Sequence, residues 1–149
     1  MQKNIGTHLV VDAWEAPSKL LNDPECIRQA LLDAISAGGA TLIDLCVHQF
    51  SPHGVTATAT LAESHIAIHT WPEYGYFAAD IFFCGAGEPQ KALEFLQSAL
   101  QAGRATVTEV VRRFEMSPTM IAETVATLET LETLDIDQSE RIMTASGHL

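Results

Sequence analysis

The chain is poor in charge, and above all in positive charge. Only 18% of its residues are charged, and 8 Lys and Arg stand against 19 Asp and Glu, giving a formal net charge of −11. No Lys/Arg-rich run occurs, which argues against nucleic acid and anionic membranes as partners. A small cation would be attracted, although an acidic surface serves solubility equally well. Cysteine is scarce too: Cys26, Cys46 and Cys84 lie far apart without a C-x-x-C spacing, so no zinc knuckle is written, and an odd count suits a reducing compartment. No run approaches the ~18 apolar residues that a spanning helix requires. The opening MQKNIGTHLVVDAW has neither the apolar core nor the cleavage site of an export signal. These absences lead us to expect a soluble, cytoplasmic protein. What is present is a 47% apolar composition over 149 residues. That suffices for a single domain, 1–149, burying about two-thirds of its unfolded surface. It also leaves apolar surface for an oligomer.

THLVVDAW (Thr7 to Trp14) reads as a first strand. NDPECIRQALLDAISAGG then opens a helix with Asp23 as N-cap and Pro24 in the first turn, and closes it on Gly38 and Gly39. Ile27, Ala30, Leu31, Ala34 and Ile35 recur at helical spacing as one apolar stripe. Ala40 to Phe50 and Val55 to Ala62 read as two strands joined by the turn SPHG. Two more strands flank WPEYG. A second helix follows with Pro89 in its first turn, Gly103 past its end, and a stripe of Ala92, Leu93, Leu96, Ala99 and Leu100. Ala105 to Phe114 is a last strand. The order, β-α-β-β then β-β-α-β, predicts an α+β fold: a two-layer sandwich of a mainly antiparallel sheet with its helices on one face. Ser117 and Pro118 begin an extra acidic helix over 117–134, and 140–149 should fray. Seven acids (Glu115, Glu123, Glu129, Glu132, Asp135, Asp137, Glu140) against Arg141 give this segment about half of the net charge.

Chemistry concentrates in AESHIAIHTWPEYGY, Ala62 to Tyr76. His65 and His69 are four apart, a zinc pair on a helix, but the segment reads as a strand. There the same spacing spans about 13 Å, while zinc needs both nitrogens about 2 Å away. No metal is expected. If WPEYG is centred on Tyr74, antiparallel pairing sets Ser64 opposite Cys84, a hydroxyl facing a thiol beside imidazoles able to exchange protons. Simple packing accounts for such a pair equally well. The Glu63–Ser64 bond also permits a reaction of its own. The Ser64 hydroxyl can attack the Glu63 carbonyl to give an ester. Loss of the Ser64 Cα proton then expels the ester by β-elimination, and hydrolysis leaves a pyruvoyl group.

LAESHIAIHTWPEYGYFAADIFFCG, together with GTHLVVD, GATLIDLCVHQFSPHGVT and KALEFLQSAL, resembles the small prokaryotic S-adenosylmethionine decarboxylases, the pyruvoyl-dependent proenzymes of polyamine synthesis. The similarity runs from about Gly6 to Phe114. It implies self-cleavage at Glu63–Ser64 into a β chain of 1–63 and an α chain of 64–149 that starts with a pyruvoyl group made from Ser64. It further implies a Schiff base between that group and S-adenosylmethionine, release of carbon dioxide, and a product that donates aminopropyl groups for spermidine. His69 matches the proton acceptor in processing and Cys84 the proton donor in turnover. Phe50, Trp71 and Glu73 match substrate-binding positions, with Tyr74 nearby; core packing is the competing explanation for Phe50 and Trp71. Such enzymes are dimers of the two-chain unit with the site near the interface, so Phe50 is a candidate to serve the neighbouring protomer.

The chain departs from the family pattern in reading GVTA where many relatives read GVSG. Thr56 keeps the hydroxyl that supports processing but adds a methyl. Phe77 and Phe83 are bulkier than usual. A straight strand would also hold His69 about 16 Å from Ser64, so a break after Ser64 is expected. The rival readings are a pyruvoyl-dependent decarboxylase of ornithine or arginine, and a non-processing paralogue that binds or regulates a partner.

Overall fold

A computed structural model describes residues 2–115, 117–123 and 125–127. The chain divides into two compact units, one of residues 4–113 and the other of 1–3 with 114–149. The elements run β1 (Gln2–Trp14), α1 (Ser18–Leu21), α2 (Pro24–Ala37), β2 (Leu42–Gln49), β3 (Val55–Leu61), β4 (Ser64–Trp71), a single 3₁₀ turn (Pro72–Tyr74), β5 (Tyr76–Cys84), α3 (Pro89–Ala99) and β6 (Arg104–Glu115). One six-stranded sheet has the order β2-β3-β4-β5-β1-β6. Neighbours from β2 through β5 to β1 pair antiparallel. The expected α+β order is present, with the short helix α1 added in the loop around Pro17.

Alternation decides what each face of the sheet does. Val55, Ala57, Ala59 and Leu61 of β3, Ile66 and Ile68 of β4, and Phe77, Ala79, Ile81 and Phe83 of β5 are buried with the stripes of α2 and α3. Their neighbours in sequence, among them Thr56, His65, His69, Asp80, Phe82 and Cys84, lie on the face away from the helices. The α2 stripe is buried as its spacing predicts, and the Asp23 side chain accepts from the Glu25 and Cys26 N–H groups at 3.0 and 3.3 Å. In α3 the stripe holds except at Ala99, which is exposed. Its end also differs from expectation: the left-handed residue is Gln101 (φ 53°), while the Gly103 N–H donates to the Trp14 carbonyl at 3.1 Å.

Thr70 is the polar exception inside. Its hydroxyl accepts from Val55 N–H at 2.8 Å and donates to the Leu21 carbonyl at 2.8 Å, joining β4, β3 and α1. In the second unit, residues 118–123 and 125–127 are helical. Ser117 caps this turn, its Oγ accepting from the Met120 N–H at 3.3 Å. The rest of the expected helix over 117–134, and the segment 140–149, lie outside the described residues.

Candidate active site

The suspect bond lies in a turn. Leu61 pairs with Ser64, which leaves Ala62 and Glu63 as a two-residue connection between β3 and β4. Ser64 has φ 143°, a region that costs a non-glycine residue roughly 1–3 kcal/mol. The Glu63 carbonyl accepts the Cys84 N–H at 2.8 Å. Its carboxylate takes the Thr41 N–H at 2.8 Å and the Thr41 hydroxyl at 3.1 Å. The Thr41 N–H is the main reason the Glu63 carboxyl lies below its ordinary pKa.

Two geometric expectations are corrected here. Ser64 pairs with Phe83, not with Cys84. The connection between β4 and β5 is four residues, Pro72 to Gly75, closed by the pair Trp71 and Tyr76, so its centre falls between Glu73 and Tyr74. Gly75 takes the left-handed φ of 58° that ends this loop. A slip of one residue exchanges faces: Phe83 enters the core, and Cys84 lies on the open face, reaching Glu63 through its backbone. Nor does the chain break after Ser64. β4 is continuous from Ser64 to Trp71, and the bend comes before it.

His69 is therefore about 16 Å along the strand from Ser64. Its neighbour is Thr56, directly across on β3, whose hydroxyl is 2.8 Å from His69 Nδ1. Both line a cavity of about 410 Å³ with Phe50, Pro52, His53, Trp71 and Glu73 among its walls. Phe50 is 51% and Trp71 38% exposed, so neither is a core residue. His53 Nε2 is 3.3 Å from Glu73 Oε2. The loop that carries Phe50 is tied down by Asn22, whose side chain accepts from Gly54 N–H at 2.9 Å and whose carbonyl accepts from Gln49 Nε2 at 2.8 Å. Tyr74, 74% exposed, stands outside the cavity.

The structure thus gathers Phe50, Thr56, His69, Trp71 and Glu73 at one end of β4, and Glu63, Ser64 and Cys84 at the other. At the Ser64 end the nearest imidazole is His65, with Nδ1 3.3 Å from Ser64 Oγ. His65 stands ring to ring with Phe82 and with His8, which contacts Asp80 at 3.2 Å. Sequence reasoning overlooks Thr41, His53, Asn22 and this role of His65. Only His65 carried a local signal, its adjacency to Ser64; the other contacts join segments remote in sequence. Among the described residues no group of three or more His, Cys, Asp or Glu is placed to hold a metal ion. No helix among them is long and apolar enough to cross a membrane.

A family model described as S-adenosylmethionine decarboxylase matches residues 7–113. The chain belongs to this family. Two S-adenosylmethionine decarboxylase proenzymes place it further. That of Methanococcus maripaludis is 42% identical over 111 residues, covering 74% of this chain and 91% of the relative. That of Thermotoga petrophila is 43% identical over 108 residues, covering 72% and 83%. The crystal structure of the Aquifex aeolicus adenosylmethionine decarboxylase superposes with a TM-score of 0.72 at 31% identity, over 77% of this chain and 96% of that one. Both halves of the site, from Glu63–Ser64 to the Phe50 cavity, fall inside the segment that matches the S-adenosylmethionine decarboxylase family.

Proposed function

We propose that the protein is a self-cleaving decarboxylase of S-adenosylmethionine whose active site is shared between two copies of the chain. The observation that carries the self-cleavage is the Glu63–Ser64 turn: a serine at φ 143° follows a carbonyl already held by the Cys84 N–H. That donor polarises the carbonyl carbon for attack, as an oxyanion-hole donor does. In the first step the Ser64 Oγ–Glu63 C bond forms, the Glu63 C–Ser64 N bond breaks, and the hydroxyl proton passes to the freed nitrogen. In the second a base takes the Ser64 Cα proton, the Cβ–Oγ bond breaks, and Glu63 leaves as a carboxylate. Water then replaces the nitrogen, released as ammonia, and a pyruvoyl group heads the 64–149 chain.

The residues present fit such a group, since a serine follows a carbonyl held by the Cys84 backbone N–H. When bound, a pyruvoyl ketone supplies a carbonyl that takes up a substrate amine and draws in the electrons released with carbon dioxide. This chain's own residues do the rest. His69, its ring oriented by Thr56, accepts the proton in processing, and Cys84 Sγ returns one to the substrate carbon. The cavity suits the substrate: Phe50 and Trp71 offer faces to the purine and the sulfonium, and Glu73 can accept from ribose hydroxyls.

The separation of Ser64 from His69 supports the shared site. A twofold dimer is isologous, so each copy contributes both patches. The His69 cavity of one protomer can thereby face Ser64 of the partner subunit. Val10 and Trp71 on the open face of the sheet, 40% and 38% exposed, give that face apolar surface for a second copy to cover. Two measurements test the reading. Intact mass should show fragments 1–63 and 64–149 with a blocked start on the second, and carbon dioxide should be released from S-adenosylmethionine but not from ornithine or arginine. A persistent full-length chain, or release from another amino acid, would overturn it.

A further inference from the structure

We infer that Thr41 is a positioning residue for the chain break at Glu63–Ser64, gripping the turn in the geometry from which Ser64 attacks. The inference rests on the self-cleavage proposed above. Thr41 lies just after the glycines that end α2 and just before the edge strand β2, remote from the turn in sequence. Yet each of its polar groups goes there. Its N–H and hydroxyl donate to the two Glu63 carboxylate oxygens at 2.8 and 3.1 Å, and its carbonyl accepts the Ala62 N–H at 2.9 Å. From the other flank the Cys84 N–H holds the Glu63 carbonyl at 2.8 Å.

Glu63 is thereby fixed at its side chain and its carbonyl, and the turn is held again at the N–H of Ala62 before it. The attack of Ser64 Oγ on the Glu63 carbonyl carbon, with the Glu63 C–Ser64 N bond breaking and the hydroxyl proton passing to the nitrogen, depends on the approach between these groups. Holding one reactant still while the other swings is what raises the effective concentration of an intramolecular nucleophile. A two-residue turn without such a grip would sample other conformations. Because the carboxylate is charged at neutral pH, its two bonds are of the stronger, charge-assisted kind. Thr41 is exposed, so the contacts add little to global stability. The grip should therefore be visible in the cleavage rate rather than in the melt.

The experiment uses the full chain and follows the conversion of intact protein into 1–63 and 64–149 by mass. Wild type is compared with Thr41→Val, Thr41→Ser and Glu63→Gln, with Ser64→Ala as uncleaved reference. Each is sampled with and without hydroxylamine, which cuts an ester but leaves an amide. Thr41→Val should cleave about tenfold more slowly with its melting temperature nearly unchanged. Hydroxylamine should release no extra fragment from it, which places the delay before the ester. Thr41→Ser should restore the rate. If Thr41→Val does not fold, Glu63→Gln on the turn surface tests the same grip and should also slow cleavage. Cleavage of both variants at the wild-type rate, failure of serine to rescue, or build-up of ester in Thr41→Val would overturn the role of Thr41 and leave self-cleavage standing. A wild-type chain that stays whole would overturn self-cleavage itself, and the grip with it.

Discussion

At the scale of single residues, Phe77 and Phe83, which the resemblance leads one to expect as smaller, are both buried in the core. Phe83 is buried, and its ring occupies space that glycine leaves free: a Cβ on Gly38 or on Gly87 would stand 2.7 Å from a ring carbon. Size was legible in the sequence, whereas the two glycines that make room for it were not, because they come from separate segments. The Thr56 hydroxyl meets His69 Nδ1 at 2.8 Å, across the β3–β4 pair. Thr56 also lines the cavity that His69 faces. Tyr76 shows a different dependence on surroundings. With its ring tilted against those of Trp14 and Trp71 at centroid distances of 5.6 and 5.2 Å, it donates its hydroxyl to Asp12 Oδ1. Burial first, and then the hydrogen bond to Asp12 and its charge, push its pKa from 10.0 up to about 12. A raised folded-state pKa means the stabilisation is complete below about pH 10 and is lost as pH rises through about 12. Wild type should therefore lose its stability advantage over Tyr76→Phe across that window in denaturant titrations. A difference that stays constant from pH 9 to 12 would contradict the account.

At the scale of elements, period and alternation placed α2, α3 and the strands, because burial on one side writes itself into the sequence as 3.6 or 2, while the four-residue α1 is too short to carry such a period. The five-residue stripe of α2 is buried throughout. Register was harder. It is set by loop geometry, and reading WPEYG as centred on Tyr74 rather than between Glu73 and Tyr74 displaced Ser64 from Phe83 to Cys84. The break expected after Ser64 failed for a related reason. It was inferred on the premise that Ser64 and His69 must meet within one chain, and β4 instead runs straight. Beyond its backbone ladders with β3 and β5, β4 is tied in by Thr70, which satisfies the buried Val55 N–H and Leu21 carbonyl at once. Thr70→Val keeps the shape and strands both groups. It should cost about 2 kcal/mol or more, read as a shift of the urea midpoint at unchanged slope. A loss below about 0.5 kcal/mol would mean that water or relaxation replaces the bonds.

At the scale of the whole molecule, the resemblance assigns Ser64, His69 and Cys84 to one reaction, but a single chain holds the first two toward opposite ends of a strand. Adjacency in a motif need not be adjacency in a protomer. The proposed sharing can be tested by complementation. Ser64→Ala lacks the nucleophile but keeps His69; His69→Ala lacks the proton acceptor but keeps Ser64. Expressed alone, neither variant should cleave. Expressed together with distinguishable tags, mixed dimers would place an intact His69 cavity from the Ser64→Ala copy against Ser64 of the partner subunit. Only the His69→Ala copy should then be cut, and at random assortment about half of it would sit in mixed dimers. If each Ser64 were served by its own His69, no copy would be cut in either setting, because every chain lacks one of the two groups. Cleavage confined to the His69→Ala copy therefore requires the second protomer, and its absence from verified mixed dimers would return the site to a single chain.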